Sequence, residues 1–272
     1  MIDESLYMRV EEPTNSYIKQ LYWNMAIGLN KVDNLTPSKY LLKLSDDNIN
    51  NKINTNEIEE LIKKHYDNQD SNTINKNEFE CDLVSTRIVE LLNERNFSFR
   101  PTTLKVIHNY LFKDIYDFSG KYRDYNITKK EEILNNDTVI YSSYNEIETT
   151  LEYDFNKELE YDYSKIPLNK QIVHIAEFTS RIWQVHPFGE GNTRTIAVMI
   201  EKYLRSLGYN VNNDLFKKYS VYFRNALVRS NYSNRSKDIY PTNEYLIMFF
   251  ENLLTNKNHN LENENLIIKE LF

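Results

Sequence analysis

His186, Glu190 and Arg194 fall within nine residues of one another, in the stretch Val185-His-Pro-Phe-Gly-Glu-Gly-Asn-Thr-Arg194. An imidazole, a carboxylate and a guanidinium so close together can serve as a base, a ligand for a hard cation and a fixed positive charge. The same stretch holds two of the chain's five glycines, Gly189 and Gly191, and one of its six prolines, Pro187. A short glycine-bearing turn that opens a helix aims several backbone N–H groups at one spot, and the helix dipole adds positive potential there. That spot favours a phosphate. Mg2+ takes one or two carboxylates plus phosphate oxygens, which suits Glu190. A carboxylate this near apolar helix faces is costly to bury unless it is paired or binds metal. Gly191 allows close backbone approach. Asn192 can cap the next helix and is also a candidate phosphate or metal contact. Arg194 suits a polyphosphate, and Phe188 reads as the core anchor of the loop. No Gly-Lys-Ser/Thr follows, so this is not a Walker A loop. A lone histidine at a helix end is more often structural; its neighbours shift the balance toward nucleotide phosphate transfer.

Two helices must hold this loop. Before it, Ile172, Ile175, Ala176, Thr179, Ile182 and Trp183 recur with helical spacing; after it, Ile196, Met199, Ile200, Tyr203, Leu204 and Leu207 do the same, and Gly208 ends the run. Upstream, apolar faces predict helices over 16–30, 38–47 and 55–64, the last capped by Thr55, then a polar stretch 67–77 that marks a soft boundary. Residues 1–75 are therefore expected to form a small helical subdomain. Val84, Ile88, Leu91 and Leu92 begin the main body, and Pro101 opens a helix carrying Leu104, Ile107 and Leu111. Residues 121–141 lose the helical period: Tyr122, Tyr125 and Ile127 run out and Thr138-Val-Ile-Tyr141 returns, which predicts a β-hairpin. Ser143 and Glu146 predict a capping box for the next helix. Helices are also expected around 216–227 and 242–253, followed by a tail, 256–272, in which Leu266, Ile267 and Ile268 tuck back.

Composition narrows the function. A net charge of −7 argues against a mainly electrostatic nucleic-acid binder. Cys81 is alone, which fits a reducing compartment. No run approaches the length of a membrane span, and Met1-Ile-Asp-Glu-Ser lacks a signal-peptide core. The expectation is a cytoplasmic, membrane-free protein, with specialised export as an effector left open. Five glycines and six prolines leave little punctuation for many strands, so the fold class expected is all-α with one β-hairpin. The 21 tyrosines and 13 phenylalanines read as core packing between helices; exposed ones could support a homodimer.

The run from His186 to Arg194 resembles the bacterial Fic-domain signature, His-x-Phe-x-Asp/Glu-Gly-Asn-Gly-Arg-x-x-Arg. The resemblance spans roughly 80–254, expected as a catalytic domain over 76–255. Trp23 to Asn34 is also similar to the small helical region that precedes some Fic cores. The resemblance implies a helical core with a hairpin flap and transfer of AMP from ATP to a Tyr, Thr or Ser hydroxyl of a target protein. In that scheme His186 is the general base and Glu190 holds Mg2+ on the phosphates. Gly191, Asn192 and Thr193 form the anion hole, and Arg194 meets the β-phosphate. Ile127, Thr128 and Lys129 of the flap would lie nearest the nucleotide and target, and the flap would take the target as an added strand. Flap tyrosines Tyr125 and Tyr141 are candidate self-modification sites.

Two positions depart from the signature. Thr193 stands for its second glycine, which a position already inside the helix would tolerate. Ala197 stands for the final arginine, which removes the cation usually placed at the γ-phosphate and bears on which nucleotide is the donor. Many relatives are silenced by a helix whose glutamate pairs with that arginine. Asp33-Asn34 is a loose echo of its motif, and Glu251-Asn252 another. The alternatives are the same fold transferring another phosphate-linked group or removing AMP, or a catalytically weak binding domain on account of Thr193 and Ala197. Retention of Gly191 favours nucleotidyl over phosphoryl transfer.

Overall fold

The computed structural model describes residues 12–69, 74–255 and 257–272. Ten α-helices make up these residues: α1 Ser16–Asn30, α2 Lys39–Ile49, α3 Thr55–Asp67, α4 Lys76–Asn93, α5 Pro101–Phe112, α6 Ile147–Leu159, α7 Leu168–Val185, α8 Asn192–Ser206, α9 Asp214–Asn231 and α10 Glu244–Thr255. Local chemistry sets their starts. Asn15 accepts from Tyr17 N and Ile18 N at the head of α1, and Ser38 accepts from Leu41 N at α2. Asn54 and Glu57 form a capping box on α3, so Asn54 is the cap and Thr55 the first helical residue. The box expected at Ser143 and Glu146 does not form. A 3-10 turn, Tyr144–Glu146, precedes α6, and Asn126 Oδ1 takes the Tyr144 amide instead.

α8 lies at the centre, buried without a break from Asn192 through Leu204. α5, α7 and α4 pack on it, and α1 packs against both α4 and α9. The approach of α1 to α9 needs Gly28, where a Cβ would stand 2.3 Å from the Phe216 carbonyl oxygen. Trp23, Met25, Ala26 and Leu29 of α1 join the same continuous core as Ile182, Trp183 and Ile196.

The expected β-hairpin is not there. No strand occurs among the described residues, and 121–143 is an extended excursion bent by a 3-10 turn at Glu132–Leu134. Its arms share the backbone bonds Glu131 N to Asp137 O, 2.9 Å, and Asn136 N to Glu131 O, 3.0 Å, at the turn, and beyond it bond mainly to other parts of the chain. Arg123 N donates to Pro187 O at 2.8 Å, Ser142 N to Gln184 O at 3.4 Å, and Gln184 Nε2 to Ile140 O at 3.0 Å. Each arm is thus tied to the end of α7 and the loop beyond it, which leaves no ladder between them. The tail does tuck back: Leu266 and Ile268 are buried, Ile267 is half-exposed, and Ile268 N donates to Ile133 O in the flap turn. No helix of the described residues is long and apolar enough to cross a membrane.

Candidate active site

α7 ends at Val185, and His186 follows in the left-handed region, φ 48° and ψ 60°. For a non-glycine residue that conformation costs about 1 kcal/mol, so other bonds must hold it. His186 N donates to Trp183 O at 3.1 Å, and Arg123 Nε donates to the His186 carbonyl at 2.8 Å. The imidazole is 6% exposed, with the Tyr141 ring 4.4 Å away and the Trp183 indole edge-on at 5.2 Å. Nδ1 faces Trp183 O at 3.3 Å, which assigns the proton to Nδ1 and the lone pair to Nε2. Burial, reinforced by the charge of Lys129, depresses the ring's pKa to about 3. The ring is therefore neutral at neutral pH.

The loop is closed from inside. Asn192 Oδ1 accepts from Phe188 N at 2.9 Å and its Nδ2 donates to Phe188 O at 2.8 Å. The expected cap is thus not Asn192: Gly191 stands at the N-cap with φ 74°, and the Asn192 amide is consumed by the loop. A Cβ at Gly191 would stand 2.4 Å from the Phe112 ring, so glycine is required by both conformation and space. Phe188 is fully buried and stacks on His108 at 3.8 Å. His108 in turn donates from Nε2 to Glu190 O at 3.0 Å and accepts Gly120 N–H on Nδ1 at 2.8 Å. Both nitrogens are used by a neutral ring, and burial lowers its pKa to about 4.

Glu190 faces outward. Its carboxylate is 43% exposed, accepts from Gly191 N at 3.1 Å and has Lys129 Nζ 4.0 Å away. It lines a cleft of about 360 Å³ with Lys31, Asp33, Lys129, Glu131 and Arg224. The first-turn amides of Asn192, Thr193 and Arg194 have no carbonyl partner among the described residues. A larger cleft, about 770 Å³, lies among Glu12, Lys19, Thr55 and Asn93, but no residue of the α7–α8 loop lines it. Among the described residues no group of three or more His, Cys, Asp or Glu could hold a metal. A cation here would have Glu190 as its protein ligand, with a substrate's oxygens and water completing the shell, which is how Mg2+ is commonly held.

The other predicted site residues are placed differently. Thr193 Oγ1 accepts the Trp183 indole N–H at 3.0 Å. This gives the threonine in place of glycine a structural task. Ala197 is 1% exposed. Arg194 is wholly buried: Nη2 reaches Glu80 Oε1 at 2.7 Å, Nη1 donates to Asn30 Oδ1 at 3.0 Å, and Nε stands 2.8 Å from Asp33 Oδ2. That last contact is close in charge but not aligned as a hydrogen bond, and Nε has no hydrogen-bond partner. Burial alone would lower the arginine's pKa; the charges of Asp33 and Glu80 outweigh it and hold the pKa above its ordinary value. Asn34 stands in the left-handed region beside Asp33. Glu251, the second motif echo, is paired with Lys257 and His259. Ile127 is half-buried and Thr128 exposed on the first flap arm, and Lys129 N bonds Thr138 Oγ1.

Sequence reasoning missed His108, Arg123 and Glu80. His108 offered a faint signal, a histidine on the apolar face of a helix between Ile107 and Leu111. Arg123 and Glu80 offered none.

Residues 98–204 match the family model described as Fic/DOC family. No curated protein sequence matches the chain. Among solved structures, the chain is similar to the N-terminal Fic domain of a VirB-translocated effector from Bartonella sp. AR 15-3, with a TM-score of 0.54 and 15% identity over 75% of this chain and 91% of that one. It is similar to the corresponding domain from Bartonella quintana, TM-score 0.51 and 18% identity over 68% and 86%. It is also similar to BepC of Bartonella tribocorum, solved with AMPPNP bound, TM-score 0.50 and 17% identity over 68% and 90%. The chain therefore carries a Fic/DOC family region at residues 98–204, from just before α5 into α8, on a fold shared with the Bartonella effector domains.

Proposed function

We propose that the chain transfers AMP from ATP to a hydroxyl of a protein target. The observation that carries this is the α7–α8 loop. Within nine residues it offers a neutral imidazole, a half-exposed carboxylate and three helix-start amides without partners. Those amides and the α8 dipole suit a phosphate. Nε2 of His186 would take the hydroxyl proton as the oxygen bonds to the α-phosphorus, and the bond to the β-phosphate oxygen would break to release pyrophosphate. Mg2+, held by Glu190 and phosphate oxygens, would offset the charge that grows on the leaving group. AMPPNP in BepC supports ATP as the nucleotide.

The flap would receive the target. Backbone groups of Asn126, Ile127 and Thr128 have no hydrogen-bond partner among the described residues, so an extended peptide can pair with them. Tyr125 and Ile140, 52% and 76% exposed, would add apolar contact. Asp33 would act as a restraint: while it sits on Arg194, that guanidinium is withheld from any phosphate. Residues 1–75 would thereby be regulatory.

The test is a pair of labels. With Mg2+ and target, α-labelled ATP should mark protein and γ-labelled ATP should not, and His186→Ala should abolish the α-label. Transfer of the γ-label, or α-label transfer that survives His186→Ala, would remove this assignment.

A further inference from the structure

Arg123 is 5% exposed, and no carboxylate offsets its charge among the described residues. Its side chain donates four hydrogen bonds, all to backbone carbonyls. Nε reaches His186 O at 2.8 Å, Nη1 reaches Tyr125 O at 2.7 Å, and Nη2 reaches both Ser142 O at 2.5 Å and Val185 O at 3.2 Å. Its own amide donates to Pro187 O at 2.8 Å. Three separate pieces of chain converge on one guanidinium: the end of α7 with its loop, the first flap arm, and the second. Burying an unpaired cation is expensive. Here the dipole of α7, whose last carbonyls are among the acceptors, supplies part of the missing negative charge. An ammonium could not replace it, because only the planar fork reaches carbonyls on several sides at fixed angles.

We infer that Arg123 is the positioning residue for His186, clasping the left-handed turn from behind and fastening both flap arms to it. Base and target-receiving segment are then one body, and the flap's lack of an internal ladder follows from the same bonds. The inference rests on His186 being the base, but its test does not.

Arg123→Lys and Arg123→Gln are made in the full chain. Circular dichroism checks the fold, limited trypsin digestion reads cleavage after Lys129 and Lys130, and NMR reads the His186 ring signals. Both variants should stay folded, be cut in the flap at least about tenfold faster, and show moved His186 resonances. Where transfer is measurable, kcat should fall about 100-fold with the KM for ATP little changed. Flap resistance and His186 signals equal to wild type would overturn the inference, whether or not the protein proves to be a transferase. Should neither variant fold, the wild-type protein still decides. Its Arg123 Nε–H should exchange with solvent as slowly as buried helix amides, and fast exchange would overturn the clasp.

Discussion

Glu190 and Arg194 are neighbours in one signature, four residues apart, and have opposite surroundings. The carboxylate is 43% exposed at the cleft with one cation 4.0 Å away. The guanidinium is wholly buried and ringed by Glu80, Asp33 and Asn30. The chain direction explains the contrast. At Gly189 and Glu190 the loop is half-exposed, with Glu190 on the cleft, and from Asn192 it becomes the central helix, whose side chains point into protein on every side. While Asp33 and Glu80 hold Arg194, what that half of the signature can offer a ligand is its backbone, not its side chains. A motif's residue types name the chemistry available without telling which atoms are presented.

The largest expected effect tests the closed half. Arg194→Met leaves two carboxylates without their cation and should cost about 3–5 kcal/mol, read as a lower urea midpoint at pH 7. A variant as stable as wild type would mean that the cluster is not closed.

Next is acidity. His108 and His186 have pKa values near 4 and near 3 in the fold, both below the unfolded value near 6.5. The unfolded chain thus takes up protons that the native one refuses. Their contribution is complete above pH 6.5 and is lost as pH falls toward 4. By pH 5 each should have given up about 2 kcal/mol. Equilibrium unfolding at pH 7 and pH 5 checks the sum, and His108→Gln should reduce the difference. An equal midpoint at both pH values would contradict the burial of these rings.

Asn192→Ala removes both bonds that close the loop onto Phe188. It should cost about 1–3 kcal/mol, while Glu190→Gln on the open side should stay within about 0.5 kcal/mol. If the two were reversed, the division between closed and open halves would be wrong.

Much of this was legible in the sequence. Helical periodicity located α7 and α8, and the glycine spacing located the turn between them, because those signals are local. The expected hairpin does not form, for the opposite reason. Tyr122, Tyr125, Ile127 and the Thr138–Tyr141 run have strand-like residue types, but their pairing was decided by Arg123 and Gln184, whose contacts cross 62 and 44 residues of sequence. Thr193 departs from the signature at a position the helix tolerates, and it is the acceptor for a buried indole that no spacing rule pairs with it. Asp33 reads in the sequence as a weak motif echo, and its position on Arg194 rather than on residue 197 is a matter of tertiary packing.

The most direct measurement is calorimetric titration of ATP with Mg2+ into the wild-type chain, Glu190→Gln and Asp33→Asn. Glu190→Gln should lose the Mg2+-dependent part of binding while keeping its fold. Asp33→Asn should bind at least about fivefold more tightly, because Arg194 is then less strongly held. Binding that is unchanged by Glu190→Gln would contradict a phosphate site at the α7–α8 loop.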